Sequence, residues 1–193
     1  MWKQLGLAFR VMLLLTLATG IAYPLLVTGL SQLFFPAQAN GSLVYLHGKI
    51  AGSRFIGQEF EGSGYFHSRP SAAGYNPMAS GGTNLGPTSQ ALLDRMRKAV
   101  AEFHANNPQF HGPIPADLLT ASGSGLDPDI SPASAAAQAA RVAAARDAEP
   151  AQVEALVHLL TQPPQLGFLG EARVNVLELN LALDQRFPVP HRP

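Results

Sequence analysis

VMLLLTLATGIAYPLLVTGLSQLFF, residues 11–35, is a mainly apolar run of 25 residues without a single Asp, Glu, Lys or Arg, and none follows until Lys49. As a helix it would extend about 37 Å at 1.5 Å per residue, against a hydrocarbon core of about 30 Å. It predicts one transmembrane helix over residues 11–35, preceded by a short tail, residues 1–10. A cleaved secretory signal is the competing reading, because Lys3 and Arg10 form a basic leader and Ala37-Gln38-Ala39 resembles a cleavage site. Signal peptides, however, carry apolar regions of only about 7–15 residues, which favours a retained anchor. Pro24 lies mid-span and removes one backbone hydrogen bond, so a kink is expected there. Thr16, Thr19, Gly20, Thr28 and Gly29 allow close approach of a partner helix, and they equally fit ordinary membrane-helix composition.

Working outward, the basic residues before the span place the N-terminus in the cytoplasm and residues 36–193 outside it, in the periplasm of a bacterium with two membranes. Those 158 residues are enough for one domain with a core of its own. The chain has no Cys, so no disulfide braces that domain. All 13 acidic residues and 11 of the 13 basic ones lie there, a balance of about −2. So small a charge argues against a nucleic-acid surface and against a polybasic lipid-binding patch.

Expected elements are mixed α/β, with more helix than strand. Leu43–Leu46 and Arg54–Ile56 with Phe60 read as short strands between Gly48, Gly52, Gly57 and Gly62. Residues 62–87 show no period and read as a long loop, which Tyr65, Phe66 and Tyr75 mark as ordered. Thr88 or Ser89 can cap a helix to about Ala105, carrying Leu92, Leu93, Met96, Val100 and Phe103 on its apolar side and stopped by Asn106-Asn107-Pro108. Ser131-Pro132 is a start signal for an Ala-rich helix to Arg146, and Pro150 begins another with Val153, Leu156, Val157 and Leu160 in a stripe. Residues 174–183 fit either period. Asn175 with Glu178 three residues on resembles a capping box and decides for a helix over about Val176–Gln185.

Familiar catalytic sets are missing from the pattern. His47, His67, His104, His111, His158 and His191 are scattered without zinc-binding spacing and read as surface or loop residues, so no metal site is expected. Ser122-Gly123-Ser124-Gly125 is turn-like and is not a nucleophile elbow. Ser80-Gly81-Gly82-Thr83-Asn84 before a helix has the outline of a phosphate loop but lacks its Lys. Arg69, the sole basic residue between Phe55 and Asp94, can serve an anion or carboxylate or pin its own loop.

Two segments are dense in special residues: Tyr65-Phe66-His67-Ser68-Arg69-Pro70 with Tyr75-Asn76-Pro77, and residues 120–132, TASGSGLDPDISP. Taken in order, one span, YFHSRPSA, YNP, SGGTNLGPTS, LLTASGSGLDPDISPASA, ARVAAAR and VNVLELNLALD closely resemble the KdpC family, the C subunit of the bacterial Kdp potassium-transporting ATPase. The resemblance covers nearly the whole chain. The Ala-rich segment from Ala133 to Ala145 and the Pro-rich tail after Phe187 look like tolerated variation.

This resemblance implies a non-catalytic subunit of an inner-membrane complex that imports potassium at the expense of ATP. Its partners would be a pore-forming A subunit, a P-type ATPase B subunit and a small F subunit, with lipid around the span. It further implies a role in assembly and as a catalytic chaperone that raises the ATPase subunit's affinity for ATP. No cofactor is expected on the chain, and direct contact with ATP stays open, because only residues 1–10 are expected in the cytoplasm. In keeping with a non-catalytic role, the sequence has no DKTGT-like phosphorylation motif and no P-loop. The expected docking surface is the pair of motif-rich segments, with Tyr65, Phe66, Arg69, Tyr75, Asn76, Ser122, Ser124 and Asp127 as interface candidates, since aromatic residues and Arg are frequent anchors. Asp127 and Asp129 could shape a cation field near a pore, and Asp129 could equally cap the helix at Ser131. The alternative class is a free-standing, membrane-anchored periplasmic binding protein or hydrolase, which would need a pocket with convergent polar groups.

Overall fold

A computed structural model describes residues 2–189; His191 and the end of the Pro-rich tail lie outside the described residues. The chain forms two compact units that divide between Ala51 and Gly52. The architecture is mixed, helix-rich with a few short strands.

The first unit begins with helix α1, Trp2–Leu17, which continues through a π-helical turn, Ala18–Ala22, into α2, Tyr23–Phe34. The continuous helix spans 33 residues and is long and apolar enough to cross a membrane. It starts nine residues before the expected span, taking in the tail from Trp2 onward. The π turn sits where Pro24 demands an adjustment: proline has no N–H and its ring crowds the carbonyl four residues back. Tyr23 N–H reaches back five residues to Ala18 O, and Thr19 Oγ donates to Leu15 O at 2.7 Å. Widening the helix by one residue is a recognised way to absorb such a break. A short helix α3, Pro36–Ala39, and strand β1, Leu43–Leu46, follow, with β1 paired to β2, Lys49–Ser53. The second strand therefore precedes Arg54–Ile56, the place expected for it. His47 and Gly48 both adopt positive φ, which turns the chain back at once.

Among the described residues the second unit has four α-helices, three of which form its core. Helix α4, Gln90–Asn106, is followed by a long connector. Strand β3, Asp129–Ile130, leads directly into α5, Pro132–Ala145; then come α6, Pro150–Leu160, strand β4, Val174–Asn175, and α7, Val176–Arg186. Strands β3 and β4 are antiparallel, with Asp129 opposite Asn175 and Ile130 opposite Val174. The start signals act as read. Ser131 Oγ accepts from Ser134 N at 3.0 Å, and Asn175 Oδ1 accepts from Glu178 N at 3.0 Å. Asp129 caps nothing; it pairs with Arg173 at 3.1 Å. The carboxylate beneath the start of α5 is Asp117, which accepts from Ser131 N at 2.8 Å and from the Ser134 hydroxyl.

Packing of α5, α6 and α7 forms the core. Ala135, Ala139, Val142 and Ala143 of α5 meet Val153, Leu156 and Val157 of α6 and Val176, Leu179 and Leu183 of α7, with Ile130 and Val174 beneath. Ala133, Ala136 and Ala144 of α5 are exposed, but its core alanines, Ala135, Ala139 and Ala143, are structural. Their small side chains let the neighbouring helices approach closely, which corrects the reading of this stretch as free variation.

Across this helical core runs segment 63–68, which turns at Ser63 and Gly64 and belongs to no strand. Its backbone is satisfied by side-chain amides. Asn180 on α7 accepts from Phe66 N and donates to Phe66 O, both at 2.9 Å, while Gln138 on α5 accepts from His67 N at 2.9 Å and donates to His67 O at 3.2 Å. Each amide reproduces the two bonds that a neighbouring strand would give. Two arginines of the same helix region add anchors. Arg141 donates to Ser63 O at 2.7 Å and to Tyr65 O at 2.9 Å, and the buried Arg146 donates to Gly64 O at 2.6 Å and pairs with Asp184 at 2.9 Å. Asn180→Ala would strand a buried N–H and C=O, and is expected to lower the stability of the full chain by about 2–5 kcal/mol in urea unfolding in mild detergent.

Candidate functional site

The loop 62–87 and the connector 120–127, remote in sequence, form one knot. Ser71 Oγ donates to Gly125 O at 2.6 Å and accepts from Ala73 N and Tyr75 N at 3.1 and 2.9 Å. Ser122 N donates to Pro70 O at 3.3 Å, and Gly81 N and Ser80 Oγ both donate to Ser124 O, at 2.8 and 3.0 Å. Gly125 has to be glycine: its φ is +68°, and a Cβ there would stand 2.8 Å from Gly81 O.

Arg69 sits at the centre. Its Nη1 lies 3.2 Å from Asp127 Oδ2, both side chains being about three-quarters covered, and Nη2 reaches Thr120 Oγ1 at 3.5 Å. The sequence left Arg69 with an anion or carboxylate or with its own loop's carbonyls; the partner is a carboxylate, that of Asp127, 58 residues away. Tyr75 donates its hydroxyl to Arg69 O at 2.7 Å, and burial, with the charge of Glu59 behind it, pushes the phenol up to about 12. It stays protonated, and hence a donor, throughout the physiological range. Asn76 accepts from Met78 N at 3.0 Å and so starts the short turn Pro77–Ala79. Ser124 Oγ accepts from Leu126 N at 3.1 Å, and Asp127 Oδ1 from Asp129 N at 3.1 Å.

The eight interface candidates thus divide by depth. Arg69, Tyr75, Asn76, Ser122, Ser124 and Asp127 belong to the knot, with Asn76 and Ser124 on its exposed rim and Ser122 inside. Tyr65 lies apart from them, stacked under the Arg146 guanidinium at 4.7 Å, its hydroxyl 3.4 Å from Asp184. Phe66, expected as an interface candidate, is 0% exposed and packs in the core instead. Removing so large a buried side chain typically costs about 3–5 kcal/mol. Met78, 91% exposed on the rim, was not singled out in the sequence, because a lone Met in a Pro-rich loop carries no local signal.

His67, read as a surface or loop residue, is largely covered. Burial and then the nearby Arg141 charge hold its pKa below the usual value, against the opposing pull of Gly62 O, to which its Nε2 approaches at 3.1 Å. A cavity of about 640 Å³ lies beside α5 between Phe110, Asn107 and Ala140. Its ionisable lining residue is Arg141, which directs its donors to Asn107, Ser63, Tyr65 and Gln138; burial brings its pKa down to about 10 and leaves it charged. Charged groups here tie loops to helices.

The class of protein is therefore a helix-rich domain displaying a tied loop surface, on a chain that begins with a helix long and apolar enough to anchor it. A family model described as "KdpC: K+-transporting ATPase, c chain" matches residues 5–185. Relatives named "Potassium-transporting ATPase KdpC subunit" include that of Rhodospirillum rubrum, 56% identical over 179 residues covering 92% of this chain and 93% of the relative. That of Gemmatimonas aurantiaca is 60% identical over 173 residues, covering 88% and 86%, and that of Beijerinckia indica 49% identical over 195 residues, covering 100% and 99%. The chain belongs to the KdpC family.

Asp117 gives a pH test of this scaffold. Burial pushes its carboxyl up, but the Ser134 hydroxyl and the Ser131 N–H and hydroxyl outweigh that and hold its pKa below the usual value. A depressed pKa stabilises the fold above the unfolded value of about 4 and loses that contribution as pH falls through the folded one. Asp117→Asn is expected to lower stability at pH 7 by roughly 1–3 kcal/mol and to flatten the acid limb of the stability curve, measured by urea unfolding at a series of pH values.

Proposed function

We propose that this chain is the non-catalytic accessory subunit of an ATP-driven potassium import complex of the inner membrane, needed for assembly and acting to raise the ATPase subunit's affinity for ATP. The observation that carries the reading is the family match over residues 5–185. Support comes from the site itself. The knot is tied by Arg69 to Asp127, Tyr75 to Arg69 O and Ser71 to Gly125 O, as suits a preorganised docking surface, while Arg69 Nε is buried without a partner among the described residues. The partners are a pore-forming A subunit, a P-type ATPase B subunit that holds the catalytic site, and a small F subunit.

In this reading the α1–α2 helix spans the membrane once, N-terminus inside, and the second unit works in the periplasm. Lys3 and Arg10 before the apolar run, with no basic residue until Lys49, support that orientation. ATP is then on the far side of the membrane from the knot, so the effect on nucleotide affinity is indirect. The subunit binds two states of the complex unequally and shifts their balance.

The test is affinity purification of the tagged full-length chain in mild detergent from potassium-starved cells. Co-recovery of a P-type ATPase and a pore-forming subunit with potassium-stimulated ATP hydrolysis is expected; recovery of the chain alone contradicts the proposal. Met78→Asp places a charge on the exposed rim without touching a hydrogen bond. It should reduce co-recovery about tenfold, the loss of one interface anchor, and leave the chain's thermal unfolding unchanged.

A further inference from the structure

The segment LLTQPPQLGFLG, residues 159–170, is free of charged side chains. It leaves α6 and returns to β4 as a rigid hairpin. Gln162 exchanges both backbone bonds with Arg173, at 2.8 and 3.0 Å, and Gln165 exchanges both with Leu169, at 2.9 Å each. At the tip Phe168 N donates to Gln165 O at 3.2 Å across Leu166 and Gly167, whose φ values are +54° and +83°. Turns with both central residues in the left-handed region favour Asn-Gly, because a Cβ there crowds the backbone. Leucine in that place is unfavourable for the backbone, and it is also 82% exposed, beside Phe168 at 75%. Folding alone gives no reason for either. An outlier held by a well-bonded frame points to use by something outside the domain.

The chemistry selects the occupant. A surface that meets anionic lipid carries Lys or Arg beside its apolar residues, whereas this segment has none over twelve positions. Depletion of charge with an exposed aromatic is the composition of a protein–protein interface centre. We propose that the tip Gln165–Leu169 is a docking anchor that inserts Leu166 and Phe168 into an apolar cleft on another protein subunit of the same transport complex. This rests on the accessory-subunit reading and adds to it a contact separate from the knot.

The experiment uses the full-length chain in its native membranes, with a photoreactive benzophenone amino acid in place of Phe168, alongside co-purification of L166N and F168S variants. A crosslink from position 168 to another subunit is the expected result. A crosslink only to lipid, or only to a second copy of the chain, overturns the proposal. Leu166→Asn suits the turn better, so its thermal midpoint should equal or exceed that of the wild type while recovery of the complex falls roughly tenfold. Undiminished recovery of both variants overturns the anchor. Failure of the wild-type chain to recover any partner overturns the subunit reading, and the anchor with it.

Discussion

The pair of bonds between the Asn180 side chain and the Phe66 backbone holds the second unit in its working form. An extended chain laid across helices has no ladder to satisfy it, and a buried backbone group without a partner costs about as much as a lost hydrogen bond. Asn180 and Gln138 solve this at consecutive residues. Phe66 can then drop its ring into the core of α5, α6 and α7, Ser68 stays buried behind it, and the half-buried Arg69 and Pro70 carry the chain on into the knot. The 66–87 side of the knot leaves the core at this point, while its 120–127 side is held separately, Leu126 O accepting from Gly57 N at 2.7 Å.

Beyond the bracket, order is passed on through short, mutually dependent contacts. Arg69 holds Asp127, Asp127 accepts from Asp129 N, and Asp129 pairs with Asn175 and Arg173 at the β3–β4 bridge. A chain of this kind links the loop surface to the start of α7. Its worth is in geometry more than in energy, since ion pairs still partly open to solvent contribute little each. Rigidity is what a docking surface gains from it, because loops already ordered lose less freedom on binding.

Much of this was legible in sequence, and the missing parts share one cause. Ser131 and Asn175 act within one helical turn, so their capping roles could be read directly, although the Glu178 carboxylate pairs with Arg54 and does not close the box. The same holds for the apolar stripe Val153, Leu156 and Val157, all buried. The π turn before Pro24 is a local response to a local residue, foreseen as a kink and found as a widened turn. Arg54–Ile56 looked like a strand by composition, but β2 had already used the preceding five residues to pair with β1. Phe66 and Arg69 were noticed together as special residues, yet one is core and the other is locked to Asp127; the partners that decide this lie 114 and 58 residues away. No window of sequence contains such pairs. Asp117 escaped notice for the same reason, being 14 residues before the Ser131 that it holds.

The central claim is that the amide bracket and the knot it carries form one rigid body. Hydrogen exchange at single-residue resolution on the full-length chain in detergent tests it most directly, through the amides of Phe66, His67, Tyr75 and Gly81. The account predicts that all four are protected and open together, at a rate set by unfolding of the α5–α7 core. Fast exchange at Tyr75 and Gly81 while the core stays protected would contradict it, leaving the motif-rich loops as a mobile surface.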